Sequence, residues 1–331
     1  MKRHNQILAG VLVIQIALSV FAFWPRSAVS GGGEPLFPNL EASAIVALTI
    51  TDTDGNTIAL KKTGPESEDE PASWALPEAD DYPAQADKIT PLLEKIVGLT
   101  TGRLVTRTDA SHKRLQVAVD DFVRRVDLET ADGTKYTLYL GSSPSYGATH
   151  FRLEGQSETY LTNDISTWDI NVSAASWINT SYMSLNREKL TQVTLENANG
   201  TFVFTKDDTG EWVLAGLKAG EELASSEVNT IINKVTSVVM LRPLGKDEDA
   251  AYGMNDPLAT ATIETGDKTV MLFVGAQDPD DKSHVVKSSE SPYYVRVAEY
   301  NVKPLVENTR DDFVQPPPTP TPEGDIATNS Q

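Results

Sequence analysis

The sequence predicts an α+β protein: an N-terminal transmembrane helix followed by two tandem repeats, each mainly antiparallel sheet with one covering helix. Three observations predict it. Residues 7–24 form an apolar run broken only by Gln15 and Ser19. Landmarks then recur at fixed offsets: Trp74 with Trp212 at 138, Lys95 and Arg103 with Lys234 and Arg242 at 139, and Gly141, His150 and Tyr160 with Gly275, His284 and Tyr294 at 134. A constant spacing of polar, aromatic and glycine residues is the mark of a duplication. Finally, each copy carries one segment of helical period among several short segments of period two.

The first element is the apolar run. As a helix rising about 1.5 Å per residue it spans roughly 27 Å, close to the hydrocarbon thickness of a bilayer. Lys2 and Arg3 precede it, Phe21, Phe23 and Trp24 stand at its far end, and Pro25 stops it. Basic residues stay in the cytoplasm and aromatics sit at the interface. Residues 1–6 are therefore read as cytoplasmic, 7–24 as the span, and the rest as extracytoplasmic, with the lipid bilayer as a partner. A cleaved signal peptide is the rival reading, because Ala28-Val29-Ser30 offers a small-x-small site. The run is longer than the usual h-region of 7–15 residues, which favours an uncleaved anchor.

Residues 25–41, with Gly31, Gly32 and Gly33, read as a tether. The first repeat spans 42–164. A connector with Trp168, Trp177 and Tyr182 covers 165–189, and the second repeat spans 190–313. The tail, 314–331, is proline-rich and too poor in apolar residues to pack, so it reads as disordered.

Each repeat opens with a hairpin. In the first, 45–50 runs to Asp54-Gly55-Asn56 and 57–61 returns; in the second, 193–195 runs to Asn199-Gly200 and 201–205 returns. These dipeptides supply the positive φ angles that tight hairpins need. A short strand at Trp74 or Trp212 follows. Next comes a helix. Ile89, Leu92, Leu93, Ile96 and Leu99 form one apolar face, and Val228, Ile231, Ile232, Val235 and Val238 form its counterpart. Asp87 and Ser225 or Ser226 are the candidate N-caps, and Lys95 and Arg103 with their counterparts are expected to flank the helix near its C-terminal dipole. The remaining strands pair as 126–130 with 136–140, 261–265 with 270–274, 150–153 with 159–161, and 284–287 with 293–297. Short turns between consecutive strands favour antiparallel pairing.

Composition bounds the function. An apolar fraction of 40% and a charged fraction of 23% are globular values. The formal net charge of −19 argues against nucleic acid and anionic lipid headgroups as partners. Without cysteine there is no disulfide, thiolate metal site, cysteine nucleophile or lipidated cysteine.

Motifs for chemistry are scarce. His150 and His284 each follow a matched glycine by nine residues, but neither has a second ligand at metal spacing. Asp52-Thr53-Asp54-Gly55-Asn56 opens like a calcium loop, yet Thr63 stands where the bidentate glutamate belongs, and a hairpin turn explains the segment. Asp278, Asp280 and Asp281 read as a solvated loop. The sequons at Asn171, Asn179 and Asn199 read as coincidental. No nucleophile elbow, phosphate-cradling loop or dinucleotide fingerprint occurs. No catalytic, cofactor-binding or metal residue is therefore assigned, and no cofactor is expected.

The chain resembles a bacterial membrane-anchored family of unknown function with a duplicated extracytoplasmic domain, often encoded beside gliding-motility-type ABC transporters. The resemblance rests on the anchor at 7–24 and on Trp177-Ile178-Asn179 leading through Leu185 to Val193-Thr194-Leu195. It also rests on Tyr252-Gly253-Met254-Asn255-Asp256-Pro257 with the strand pair ending in Phe273-Val274-Gly275. The first copy lacks the Tyr-Gly-x-x-x-Pro element. What the resemblance implies is an envelope location and partnership with ABC transporter subunits. The expectation is thus a non-enzymatic binding or accessory subunit. Capture of a glycan or peptide in a groove between the repeats is the alternative, for which exposed tryptophans in the connector would be the sign. An enzyme of unrecognised class is the second alternative.

Overall fold

The computed structural model describes residues 33–64 and 72–315. The apolar run 7–24 lies outside them, as do residues 316–331 of the tail. Among the described residues no helix is long and apolar enough to cross a membrane.

In chain order the first elements are β1 (Ile45–Asp52), β2 (Thr57–Lys62), β3 (Trp74–Leu76), β4 (Tyr82–Ala84), α1 (Ala86–Val97) and β5 (Leu104–Thr106). Then come α2 (His112–Leu115), β6 (Val117–Ala118), β7 (Asp121–Phe122), β8 (Arg124–Thr130), β9 (Lys135–Leu140), β10 (Thr149–Leu153) and β11 (Thr159–Thr162). The later elements are β12 (Ser181–Ser184), β13 (Leu190–Asn197), β14 (Gly200–Lys206), β15 (Trp212–Leu214), β16 (Glu222–Leu223), α3 (Ser225–Thr236) and β17 (Ser237–Val239). They continue with β18 (Arg242–Gly245), β19 (Ala259–Thr265), β20 (Thr269–Gln277), β21 (His284–Ser288), β22 (Tyr294–Val297), α4 (Glu299–Glu307) and β23 (Val314–Gln315). The fold is mainly antiparallel sheet with few helices.

The described residues divide into two compact units, 33–57 with 87–172, and 58–64 and 72–86 with 173–315. The first unit carries strands in the order β1-β8-β9-β10-β11-β5, all antiparallel. The second carries β13-β19-β20-β21-β22-β18 in the same sense, extended past β13 by β14 and β15. The six strands follow one order in both units.

Irregularities match as well. The β1–β8 register slips between Ile45 and Ala47, and the β13–β19 register slips between Leu190 and Gln192. The extra residue turns the alternation, so Ile45, Leu48 and Ile50 are all buried, as are Leu190, Val193 and Leu195. A bulge at the start of a strand re-aims its side chains in this way.

The turns obey their sequence. Asp52 Oδ1 accepts from the backbone N–H of Asp54 at 3.0 Å and of Asn56 at 2.9 Å, while Gly55 takes φ +82°. Burial raises the Asp52 pKa, but the hydrogen bonds from Asn56 and Asp54 and the Arg124 charge outweigh it and hold the carboxyl below its ordinary range. In the β8–β9 turn, Asp132 Oδ1 accepts from Thr134 N at 3.0 Å and Gly133 has φ +84°.

Ile89, Leu92, Leu93 and Ile96 are the buried face of α1, and Val228, Ile231, Ile232 and Val235 that of α3. Full burial of a side chain of this size contributes about 1.5–3 kcal/mol, so this stripe outweighs intrinsic propensity, including Pro91 inside α1. The caps differ from expectation: Asp87 lies in the first turn of α1, and α3 begins at Ser225 behind Ala224, which makes no side-chain cap. Lys95 and Lys234 do occupy the last helical turns. Arg103 instead adjoins β5, where Nη1 reaches Asn163 Oδ1 at 2.6 Å, and Arg242 begins β18.

Three parts of the chain depart from the sequence reading. Val314 and Gln315, read as the start of the disordered tail, form β23 and pair with Leu223 and Glu222 of β16. The second unit has another helix, α4, which packs on α3 and on β13 and β19. Pro304 and a weak apolar pattern conceal it in the sequence. Leu36, Phe37 and Leu40, in the segment read as a tether, are buried, and Leu36 N donates to Leu99 O at 2.8 Å.

Candidate functional site

The matched glycines admit a close backbone approach. A Cβ at Gly141 would stand 2.1 Å from Leu115 O, and a Cβ at Gly275 would stand 2.1 Å from Tyr252 O. In both units a short helical turn ends on a left-handed residue, Gln116 (φ +55°) or Gly253 (φ +68°), and docks its last carbonyl on the strand. The Tyr252-Gly253 element missing from the first copy is thus replaced there by Leu115-Gln116.

With Gly141 set against Gly275, strand pairing can be counted outward. Tyr139 faces Arg152, and Phe273, the corresponding residue, faces Lys287. Arg152 and Lys287 therefore occupy one position. Their contacts agree. Arg152 Nη1 donates to Leu153 O at 3.4 Å and Gln156 O at 3.2 Å; Lys287 Nζ donates to Ser288 O at 2.9 Å and Ser291 O at 2.5 Å. Each cation holds the carbonyls one and four residues ahead, closing the loop of its hairpin. Burial lowers the pKa of both.

This alignment separates the two histidines. His150 lies two residues before Arg152, but His284 lies three before Lys287. Because β-strand side chains alternate, the two rings fall on opposite faces relative to those cations. Each has a local role. His150 Nδ1 donates to Ser142 O at 2.8 Å, and His284 Nδ1 to Gly275 O at 3.3 Å. Among the described residues no group of three or more metal-ligating side chains gathers.

The acidic loop between β20 and β21 is bonded to its own backbone and to β22. Asp278 pairs with Arg296 at 3.2 Å and Asp281 Oδ1 accepts from Ser283 N at 2.8 Å. The hydrogen bonds from Ser283 lower the Asp281 pKa. Of the sequon residues, Asn179 Oδ1 accepts from Ser181 N at 2.9 Å and Asn199 Nδ2 donates to Glu307 O at 2.8 Å.

The connector tryptophans divide. Trp177 is 3% exposed, whereas Trp168 is 88% exposed. The Trp168 turn is fixed by its neighbours: Ser166 N and Oγ both donate to Asp169 Oδ2, at 2.8 and 2.9 Å.

Each unit also holds a recess among its described residues. In the second unit an open groove of ≈ 680 Å³ is lined by Asn186, Arg187, Glu188, Lys206, Trp212 and Asn229. The Lys206 ammonium lies 5.4 Å from the centre of the Trp212 ring. In the first unit a recess of ≈ 390 Å³ borders His112, Lys113, Val119, Arg152 and Ser157. Arg152 is 4% exposed there, with its guanidinium 4.6 Å over the Tyr139 ring and Nε donating to Val117 O at 2.8 Å. Tyr139 OH donates to Glu154 Oε1 at 2.9 Å; burial and that carboxylate push the phenol up to about 12. His112 Nε2 donates to Ser157 O at 2.9 Å.

Sequence reasoning missed Arg152 and Lys287. The one available signal is a basic residue midway along the first strand of the last hairpin, but a constant offset of 134 sets Arg152 against Val286. A family model described as a domain of unknown function, DUF4340, matches residues 74–257. No curated protein and no solved structure matches.

Proposed function

From a chain that belongs to the DUF4340 family, we propose a non-enzymatic, single-pass membrane-anchored extracytoplasmic protein, a binding or accessory subunit of an ABC-transporter-linked envelope complex. The reading takes residues 7–24 as the anchor and the two units as copies of one design, which their common strand order supports. The observation that carries the binding role is Trp168. A wholly presented indole on a hydrogen-bonded turn is costly to leave in water and suits a buried anchor in a partner interface. Purification of the tagged full chain from gently solubilised membranes tests it. Transporter subunits should accompany the wild type and be depleted with Trp168→Ala. A lone monomer without transporter subunits overturns the proposal.

A second reading, glycan capture, is favoured by the Trp212 groove, where an indole stands among amide, guanidinium and carboxylate groups. Aromatic faces stack on sugars and polar groups fix their hydroxyls. Calorimetric titration with envelope oligosaccharides should give heat that Trp212→Ala abolishes; equal heats from both proteins would end this reading.

A further inference from the structure

We propose that the recess beside Arg152 is an oxyanion site, taking a carboxylate or phosphate group of a ligand. The proposal does not depend on the function proposed above.

A guanidinium carries five N–H donors. Nε–H goes to Val117 O and the two Nη1–H groups go to Leu153 O and Gln156 O. Among the described residues, no carboxylate lies within ion-pair distance of Arg152, and Nη2 has no hydrogen-bond partner. Nη2 is not one of the buried polar atoms left without a partner, so solvent reaches it. The space next to it is the recess that Arg152 lines. A buried cation thus offers two free donors on one nitrogen to an open cavity.

Lys287 acts as an internal control. It performs the same loop-closing task with an ammonium, so the fold does not require a guanidinium at this position. What arginine adds is the Val117 bond and the free Nη2. Of the other charges near the recess, Lys113 pairs with Asp120 at 2.6 Å, while Glu154 and Asp109 act on Arg152 through their charge from beyond ion-pair distance. Asp109 and Asp120 are 77% and 66% exposed, which screens their repulsion of an anion. The Arg152 side chain is otherwise buried, and charge-assisted hydrogen bonds are the stronger kind.

The test is calorimetric titration and thermal unfolding of the full-length protein with inorganic phosphate or acetate, against sodium chloride at equal ionic strength. Phosphate, acetate or both should bind and raise the unfolding temperature beyond the chloride effect; which of them does so identifies the group. Arg152→Lys should fold, as Lys287 does in place, and bind the anion about tenfold more weakly or less. Val119→Glu changes an exposed residue at the rim. It should weaken the response by repulsion without touching the buried contacts. A wild-type response no larger than that to chloride overturns the proposal. So does an undiminished response in Val119→Glu or in folded Arg152→Lys.

Discussion

Replacing Gly141 by alanine tests the docking of α2 on the sheet. The new Cβ would lie 2.1 Å from Leu115 O, 2.7 Å from Gln116 O and 2.7 Å from Val117 Cγ1. Side-chain movement can relieve the last contact but not the first two, which are backbone. The chain would have to withdraw by roughly 1 Å, and overpacking of this kind costs about 1–3 kcal/mol. Leu115 O also accepts from Ser142 N at 2.9 Å and Ser142 Oγ at 3.1 Å, and withdrawal weakens both bonds. A net loss of about 1 kcal/mol for those brings the total to roughly 2–4 kcal/mol. At about 2–4 °C per kcal/mol for units of this size, the unfolding temperature should fall by roughly 4–16 °C. Thermal unfolding followed by circular dichroism reads this directly. Gly55→Ala is the control: a Cβ there meets nothing within 4 Å, so only the φ of +82° is penalised. That cost is about 1–2 kcal/mol. If Gly141→Ala loses no more than the control, the close approach does not govern the position.

Two other outcomes follow from the same geometry. Gln116→Gly should stabilise the protein by up to about 1 kcal/mol, because Gln116 holds a left-handed φ of +55° where the second unit has Gly253; an unchanged or lower denaturant midpoint counts against it. For His150, burial lowers the pKa; the Ser142 carbonyl opposes this and the Arg114 charge adds to it. The folded pKa therefore lies below the unfolded value of about 6.5. Between the two the unfolded chain binds more protons, so stability is lost as pH falls below about 6.5. Urea midpoints from pH 8 to 5 should decline less steeply in His150→Gln than in the wild type, and parallel curves would contradict this.

Much of the sheet was legible because its turns carry conformational instructions. Asp132-Gly133 joins its strands at the expected residues, whereas the second turn falls one residue early, at Ala198-Asn199, with Gly200 already paired to Asn197. The 3.6-residue stripes of α1 and α3 form as far as Ile96 and Val235, and Leu99 and Val238 lie past the helix ends. Periodicity cannot reveal α4, whose exposed and buried residues alternate weakly around Pro304. Nor can it reveal the position shared by Arg152 and Lys287. Bulges displace pairing by one residue without leaving a trace in composition, so a constant offset aligns histidines that the strands keep apart. Trp168 and Trp177 were equal on paper; only packing makes one an anchor for the core and the other a projection into solvent.

The slipped rung at Ile45/Ala47, repeated at Leu190/Gln192, places the extra residue of each first strand at Val46 or Thr191. Removing that residue leaves Ile45, Leu48 and Ile50 on alternate positions of an evenly pleated strand, so all three stay on the inner face. Removing Thr49 instead would set Ile45 and Leu48 opposite Ile50, as a lost letter shifts a reading frame. The same holds for Thr191 and Thr194 in the other half, so each first strand tolerates an omission at its slip that it cannot tolerate further along.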